Sequence, residues 1–203
     1  MRHHVIPYPP EPWHLHGQVH LSVWLLPAAE APTVDVPHVR VLRLFGRAVV
    51  ATAWAVYEPG SVLRYRELMV TVLTRDGWRV RPSVTAIWVD SPASRDGGRE
   101  LWGVPKELAE FDVADRSVVM TAREQRVAAT TTLGRSVGRW PIRMYIVQRL
   151  HGDVKSTPVR ARALVRRSRT RWDGLFGGRR PVFGVSLTDC TIRCGATADR
   201  TDP

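Results

Sequence analysis

The sequence predicts a mainly β protein (formally α+β), folded as a single antiparallel barrel or sandwich with one short helix. Three observations carry that expectation: segments that alternate apolar and polar residues, turn chemistry between them, and short strands spaced regularly along 203 residues.

Residues 19–25, Val-His-Leu-Ser-Val-Trp-Leu, alternate as a half-buried strand does. Residues 39–44, 49–57 and 65–73 repeat the pattern. Glu58-Pro59-Gly60 and Asp76-Gly77 supply turn residues between them. Residues 78–89 read as a further strand, with Pro82 marking an edge or a bulge. Strands follow at 113–122 and 126–133, joined by a charged turn, and at 144–150, 161–172 and 182–194. Pro105 suits a first helical turn, and Lys106-Glu107-Leu108-Ala109-Glu110 are good helix formers, so the short helix is expected there. No repeat, linker or low-complexity segment interrupts the pattern. One domain over residues 1–203 is expected, with loose tails at about 1–12 and 196–203.

The chain is long enough to bury a core without disulfide or metal staples. Its 44% hydrophobic and 24% charged residues are ordinary globular values. No run approaches the roughly 18 apolar residues of a membrane span, and the first ten residues do not read as a signal peptide. A cytoplasmic protein with no membrane partner is expected. The formal charge of +11 invites a nucleic-acid reading. Against it, 28 of the 30 basic residues are Arg, scattered along the whole chain. That skew reads as the codon bias of a GC-rich bacterial genome, and no nucleic-acid partner is expected. The densest basic stretch, residues 160–172, sets Arg167, Arg169 and Arg171 on one side of a strand, as a solvated face or a subunit contact.

The two lysines are Lys106 and Lys155. Where Arg serves wherever a cation suffices, a retained Lys points to a required primary amine. A guanidinium stays protonated and cannot take part in imine chemistry. Five histidines, His3, His4, His14, His16 and His20, cluster early, but nothing near them completes a ligand set, and no metal is expected. Cys190 and Cys194 are four residues apart on one strand face, too far to bond, and read as buried thiols.

One segment stands out: Gly98-Arg99-Glu100-Leu101-Trp102-Gly103-Val104-Pro105-Lys106. It resembles the Gly-Arg-Glu … Pro-Lys signature of the acetoacetate decarboxylase family, and Tyr65-Arg66-Glu67 resembles that family's upstream Tyr-x-Glu. The opening from Tyr8 to Leu15 and the closing strand from Phe183 to Asp189 are similar to those of small members, so the likeness spans nearly the whole chain.

The resemblance implies a cone-like β-barrel around an apolar cavity, and a lysine, Lys106, that condenses with the ketone of a β-keto acid. A protonated imine accepts the electron pair released when carbon dioxide leaves, which a ketone does poorly. The amine must first be neutral, and an ordinary lysine with a pKa of ~10.4 is neutral about once in 2500 at pH 7. Burial or a neighbouring cation removes that handicap, as is known for acetoacetate decarboxylase itself. Glu67 is the expected second catalytic group; it shares a strand face with Tyr65, Met69 and Thr71, and a carboxylate there can shuttle protons. Tyr65, Arg99 and Trp102 are the expected substrate-binding residues, with Arg99 and Glu100 also reading as a pair that braces the loop.

The chain departs from the family pattern in two places. Glu107 stands where the family enzyme has a second lysine, and is expected to point away from Lys106. Near the N-terminus, His16-Gly17-Gln18, with no arginine, occupies the neighbourhood where the family enzyme places an arginine able to hold a substrate carboxylate. The expected activity is a Schiff-base decarboxylase acting on a small keto acid, with no cofactor and a homo-oligomeric assembly. The same lysine also suits an imine-dependent aldolase or dehydratase, and the same barrel a non-catalytic binder of small ligands.

Overall fold

The computed structural model describes residues 7–196; His3, His4 and the outer parts of both expected tails lie outside them. In chain order come β1 (Trp13–Leu26), β2 (Arg40–Val41), β3 (Arg43–Leu44), β4 (Arg47–Tyr57), β5 (Tyr65–Asp76) and β6 (Arg79–Val89). The helix α1 (Pro92–Trp102) follows, then β7 (Lys106–Leu108), β8 (Glu110–Ala114), β9 (Ser117–Ala122), β10 (Gln125–Leu150), β11 (Asp153–Asp173) and β12 (Phe183–Cys194).

The strands form one sheet in the order β7-β6-β5-β4-β1-β12-β11-β10-β9-β8, with β2 on β5 and β3 on β4. Pairing is antiparallel except between β6 and β7. The mainly β expectation holds, but the closed barrel does not follow from the pairing. The ladder ends at β7 and β8, which do not pair with each other. What joins the far end of β10 to β6 is a side chain. The buried Gln148 accepts from Ser83 Oγ and Val84 N and donates to Val84 O, each at 2.9 Å.

Three strand expectations change in detail. The strand expected at 39–44 is two short pieces, β2 on β5 and β3 on β4. The strand expected at 113–122 is a hairpin, β8–β9, turning at Asp115-Arg116, where Asp115 takes a positive φ of 48°. Asp tolerates that conformation better than most residues. The strands expected at 126–133 and 144–150 are the two ends of β10, continuous through register shifts around Ser136 and Gly138.

The helix lies before the Pro-Lys dipeptide, not after it. Ser91 caps its N-terminus by accepting from Ser94 N, Pro92 opens its first turn, and Gly103 ends it in the left-handed conformation with φ 67°. Gly103 N and Val104 N close on Arg99 O and Gly98 O. Pro105 has no N–H to donate, and Lys106–Leu108 then pair with Ile87–Val89 as a strand. Good intrinsic helix formers are overridden by that tertiary pairing.

Two apolar clusters lie on opposite faces of the central strands. Trp24, Val50, Trp54, Leu68 and Val72 pack on one face with Val118, Met120 and Trp172. Trp13, Leu15, Ala55, Tyr57 and Tyr65 pack on the other with Val89, Trp102 and Val104. β4 is therefore buried on both faces, which is why its sequence carries almost no charge. The buried tryptophans keep their N–H groups paired: Trp24 donates to Thr52, Trp54 to Thr131 and Trp172 to Ser22. No helix among the described residues is long and apolar enough to cross a membrane.

Part of the expected N-terminal tail is held down. Trp13 Nε1 donates to Pro9 O at 2.8 Å, and Glu11 accepts from Trp102 Nε1 at 2.7 Å. Arg167, Arg169 and Arg171 are exposed, as the alternation predicts. Cys190 and Cys194 are free and buried; burial pushes their thiols up to about 11 and about 12.

Candidate active site

The second apolar cluster contains the polar constellation that the sequence singles out. On β5, Tyr65 and Glu67 both point into it. On β7, alternation sends Lys106 inward and Glu107 outward to solvent. Lys106 is 3% exposed, as is Glu67. Its Nζ donates to Glu67 Oε2 at 3.0 Å, to Ser94 Oγ at 2.9 Å and to Tyr65 Oη at 3.4 Å. The ammonium also faces the Tyr65 ring at 4.8 Å and the Trp13 ring at 5.8 Å from their centroids.

The other oxygen of Glu67 accepts from Tyr57 Oη at 3.4 Å. Burial, and after it the Glu67 charge, pushes both the Tyr57 and the Tyr65 phenol well above the usual tyrosine range. Both phenols stay protonated at neutral pH; Tyr57 donates to the carboxylate, and Tyr65 accepts from Lys106.

α1 shapes this site. Ser94 and Gly98 are four residues apart on one helical face, the face turned to Lys106. A Cβ on Gly98 would stand 2.6 Å from Lys106 Cδ and 2.8 Å from its Cε. A Cβ on Gly97 would stand 2.5 Å from the Trp13 ring. Two adjacent glycines inside a helix each cost about 1 kcal/mol relative to Ala; here they let the helix backbone press against the lysine stem and a tryptophan.

Of the expected site residues, the structure brings Lys106, Glu67 and Tyr65 together. Trp102 stands one step back: it meets Trp13 edge-on at 4.7 Å and reaches Glu11 through its N–H. Arg99 lies apart from the amine. Its Nε donates to Lys106 O at 2.6 Å and its Nη2 to Glu107, on the side of β7 away from the amine. It braces β7 against α1 and does not pair with Glu100. Nor is Glu67 paired with Arg66, whose guanidinium holds Asp90. Ser94, Trp13 and Tyr57 are not among the expected site residues. The available signals were the Ser-Pro start of α1 and its Gly-Gly pair.

A family model described as acetoacetate decarboxylase matches residues 35–172. The chain belongs to the acetoacetate decarboxylase family. No curated protein sequence matches it.

Solved structures of acetoacetate decarboxylase-like proteins share its fold. The acetoacetate decarboxylase of Legionella pneumophila superposes with a TM-score of 0.61 at 15% identity, over 96% of this chain and 90% of that one. The enduracididine biosynthesis enzyme MppR, with HEPES bound, gives 0.60 at 16% identity, over 93% and 87%. An acetoacetate decarboxylase-like enzyme from Sphingomonas wittichii RW1 gives 0.52 at 15%, over 93% and 92%. Identities this low speak to the fold alone, so the chemistry rests on this chain's residues and its family.

Proposed function

We propose that this chain is a Schiff-base enzyme acting on a small keto acid through Lys106, in its simplest form a decarboxylase of an acetoacetate-like β-keto acid. The observation that carries the reading is the burial of the Lys106 amine against one carboxylate, one hydroxyl and one phenol, all within 3.4 Å. A lysine kept only for its charge has no need of such a setting.

In this reading Glu67 takes a proton from Lys106, and the free Nζ adds to the ketone carbon. Proton return to the carbinolamine oxygen expels water and leaves the iminium. The bond to the carboxylate carbon then breaks, its electron pair passes into the iminium as an enamine, and carbon dioxide departs. Protonation of the enamine carbon and hydrolysis by water release the ketone and restore the amine. Ser94 and Tyr65 orient the nitrogen, and Tyr57 holds Glu67.

A second reading keeps the iminium and replaces carbon dioxide loss by aldol-type condensation or dehydration. What favours it is that MppR, of the same fold, is known in complex with pyruvate and with the condensation product of pyruvate and imidazole 4-carboxaldehyde. Carbon dioxide release from acetoacetate separates the two. The first reading expects release by the native chain and none above background by Lys106→Arg. Release at the native rate from that variant would end both readings. Condensation of pyruvate with an aldehyde, without carbon dioxide release, would select the second.

A further inference from the structure

The outward face of the sheet carries a row of basic groups that the Lys106 site does not use. Register sets Arg143 of β10 opposite Arg160 of β11, Arg160 opposite Arg193 of β12, and Arg193 opposite His14 of β1. With neighbouring strands about 4.8 Å apart, the row is about 14 Å long. Two residues along on the same face, Arg162 stands opposite Thr191 and Pro141.

Like charges directly opposite one another destabilise a sheet. Among the described residues, no carboxylate lies within ion-pair distance of Arg143, Arg160, Arg162 or Arg193. The Nε of Arg193 is buried there without a hydrogen-bond partner. At the far end His16 is already engaged by Asp189 at 3.6 Å and Glu58 at 4.0 Å. The arginine row itself is uncompensated.

These side chains line a groove of about 620 Å³, walled on one side by Pro59 and Gly60 of the β4–β5 turn. That is the size of a small-molecule site. Arginine forks match phosphate oxygens in pairs, and the row is longer than one phosphate can cover. We propose that the groove binds a small molecule carrying two or more linked phosphates, independently of the chemistry at Lys106.

Nucleic acid fits the charge pattern less well. The exposed Arg167, Arg169 and Arg171 lie on the same strand as Arg160 and Arg162, but strand alternation puts them on the opposite face. The register shifts place extra residues on β10 and β12, so the alternation of β11 is unbroken. No continuous cationic track runs along β11.

Isothermal titration calorimetry of the full chain at physiological salt, with sodium triphosphate and with ATP as probes, tests this. We expect one saturable site per chain, weakened on the order of tenfold or more by Arg160→Gln or Arg193→Gln. Binding should persist in the paired Arg167→Gln, Arg169→Gln control and in Lys106→Arg, which separates this site from the proposed chemistry. Should either groove variant fail to fold by thermal melting, Arg143→Gln serves in its place. Tighter binding of ATP assigns a nucleotide, and equal binding assigns the phosphate chain alone. The proposal is overturned by the absence of saturable heat with both probes, or by equal weakening in the opposite-face control. Oligonucleotide binding that collapses with salt and is not displaced by triphosphate would also overturn it.

Discussion

Lys106 Nζ stands 3.0 Å from Glu67 Oε2, with each side chain 4% exposed. A charge pair this deep is held by each partner's need of the other. Removing one partner leaves an unpaired buried charge, which costs about 3–5 kcal/mol. Glu67→Leu should therefore destabilise the chain by about 3 kcal/mol or more, and the double variant with Lys106→Met should recover most of that loss. Urea unfolding of the two singles and the double checks the relation; a double as unstable as the sum would contradict it. Glu67→Gln, which keeps the shape, should lower turnover by roughly 10²- to 10⁴-fold.

Gly98 is a second test of the same geometry. Ala in place of Gly normally stabilises a helix by about 1 kcal/mol. Here its Cβ would meet the Lys106 stem at 2.6 Å. Gly98→Ala should lower turnover on the order of 100-fold through a displaced amine, with little change in melting temperature. Unchanged turnover would mean that the lysine position is not set by this contact.

Arg99 distinguishes bracing from substrate binding. Its pair with Glu107 is solvent-exposed, at 42% and 62%, so Arg99→Gln should cost less than about 1 kcal/mol. Steady-state kinetics should show KM nearly unchanged. Loss of a direct contact to substrate carboxylate would instead raise KM by about 10- to 100-fold.

His20 gives the fold a pH dependence. Its ring is fully buried, stacks on Trp54 at 4.2 Å and contacts Ser186 Oγ at 2.7 Å. Burial, and after it the charge of Arg116, lowers its pKa from 6.5 to about 4. The unfolded chain binds the proton more readily between those values, so stability rises with pH across the window. The contribution is complete above about 6.5 and is lost as pH falls toward 4, a span of roughly 3 kcal/mol. Urea midpoints at pH 7.5 and 4.5 should differ less in His20→Gln than in the native chain.

Much of this was legible in the sequence, for identifiable reasons. Alternation located the strands because most have one wet face. It located β4 but not its burial on both faces, and it merged the β8–β9 hairpin into one strand, because the two-residue turn at Asp115-Arg116 carries no glycine. Tyr65, Glu67 and Lys106 were found together because two motifs marked them. Ser94 was not, because the helix was placed by intrinsic propensity at Lys106–Glu110, while the Ser91-Pro92 cap and Gly103 set it upstream. That shift also sets where Arg99 lies: with β7 extended, Lys106 and Glu107 part to opposite faces, and the guanidinium follows Glu107. The arginine row on the outward face depends on cross-strand register, which spacing along one chain does not reveal.

The central claim is that Lys106 forms an imine with substrate. Incubation with acetoacetate or pyruvate, reduction with borohydride and peptide mass analysis tests it directly. A reduced adduct on the peptide containing Lys106, absent from Lys155 and from the Lys106→Arg variant, is the predicted result. No adduct across a panel of keto acids, or one confined to Lys155, would contradict the account.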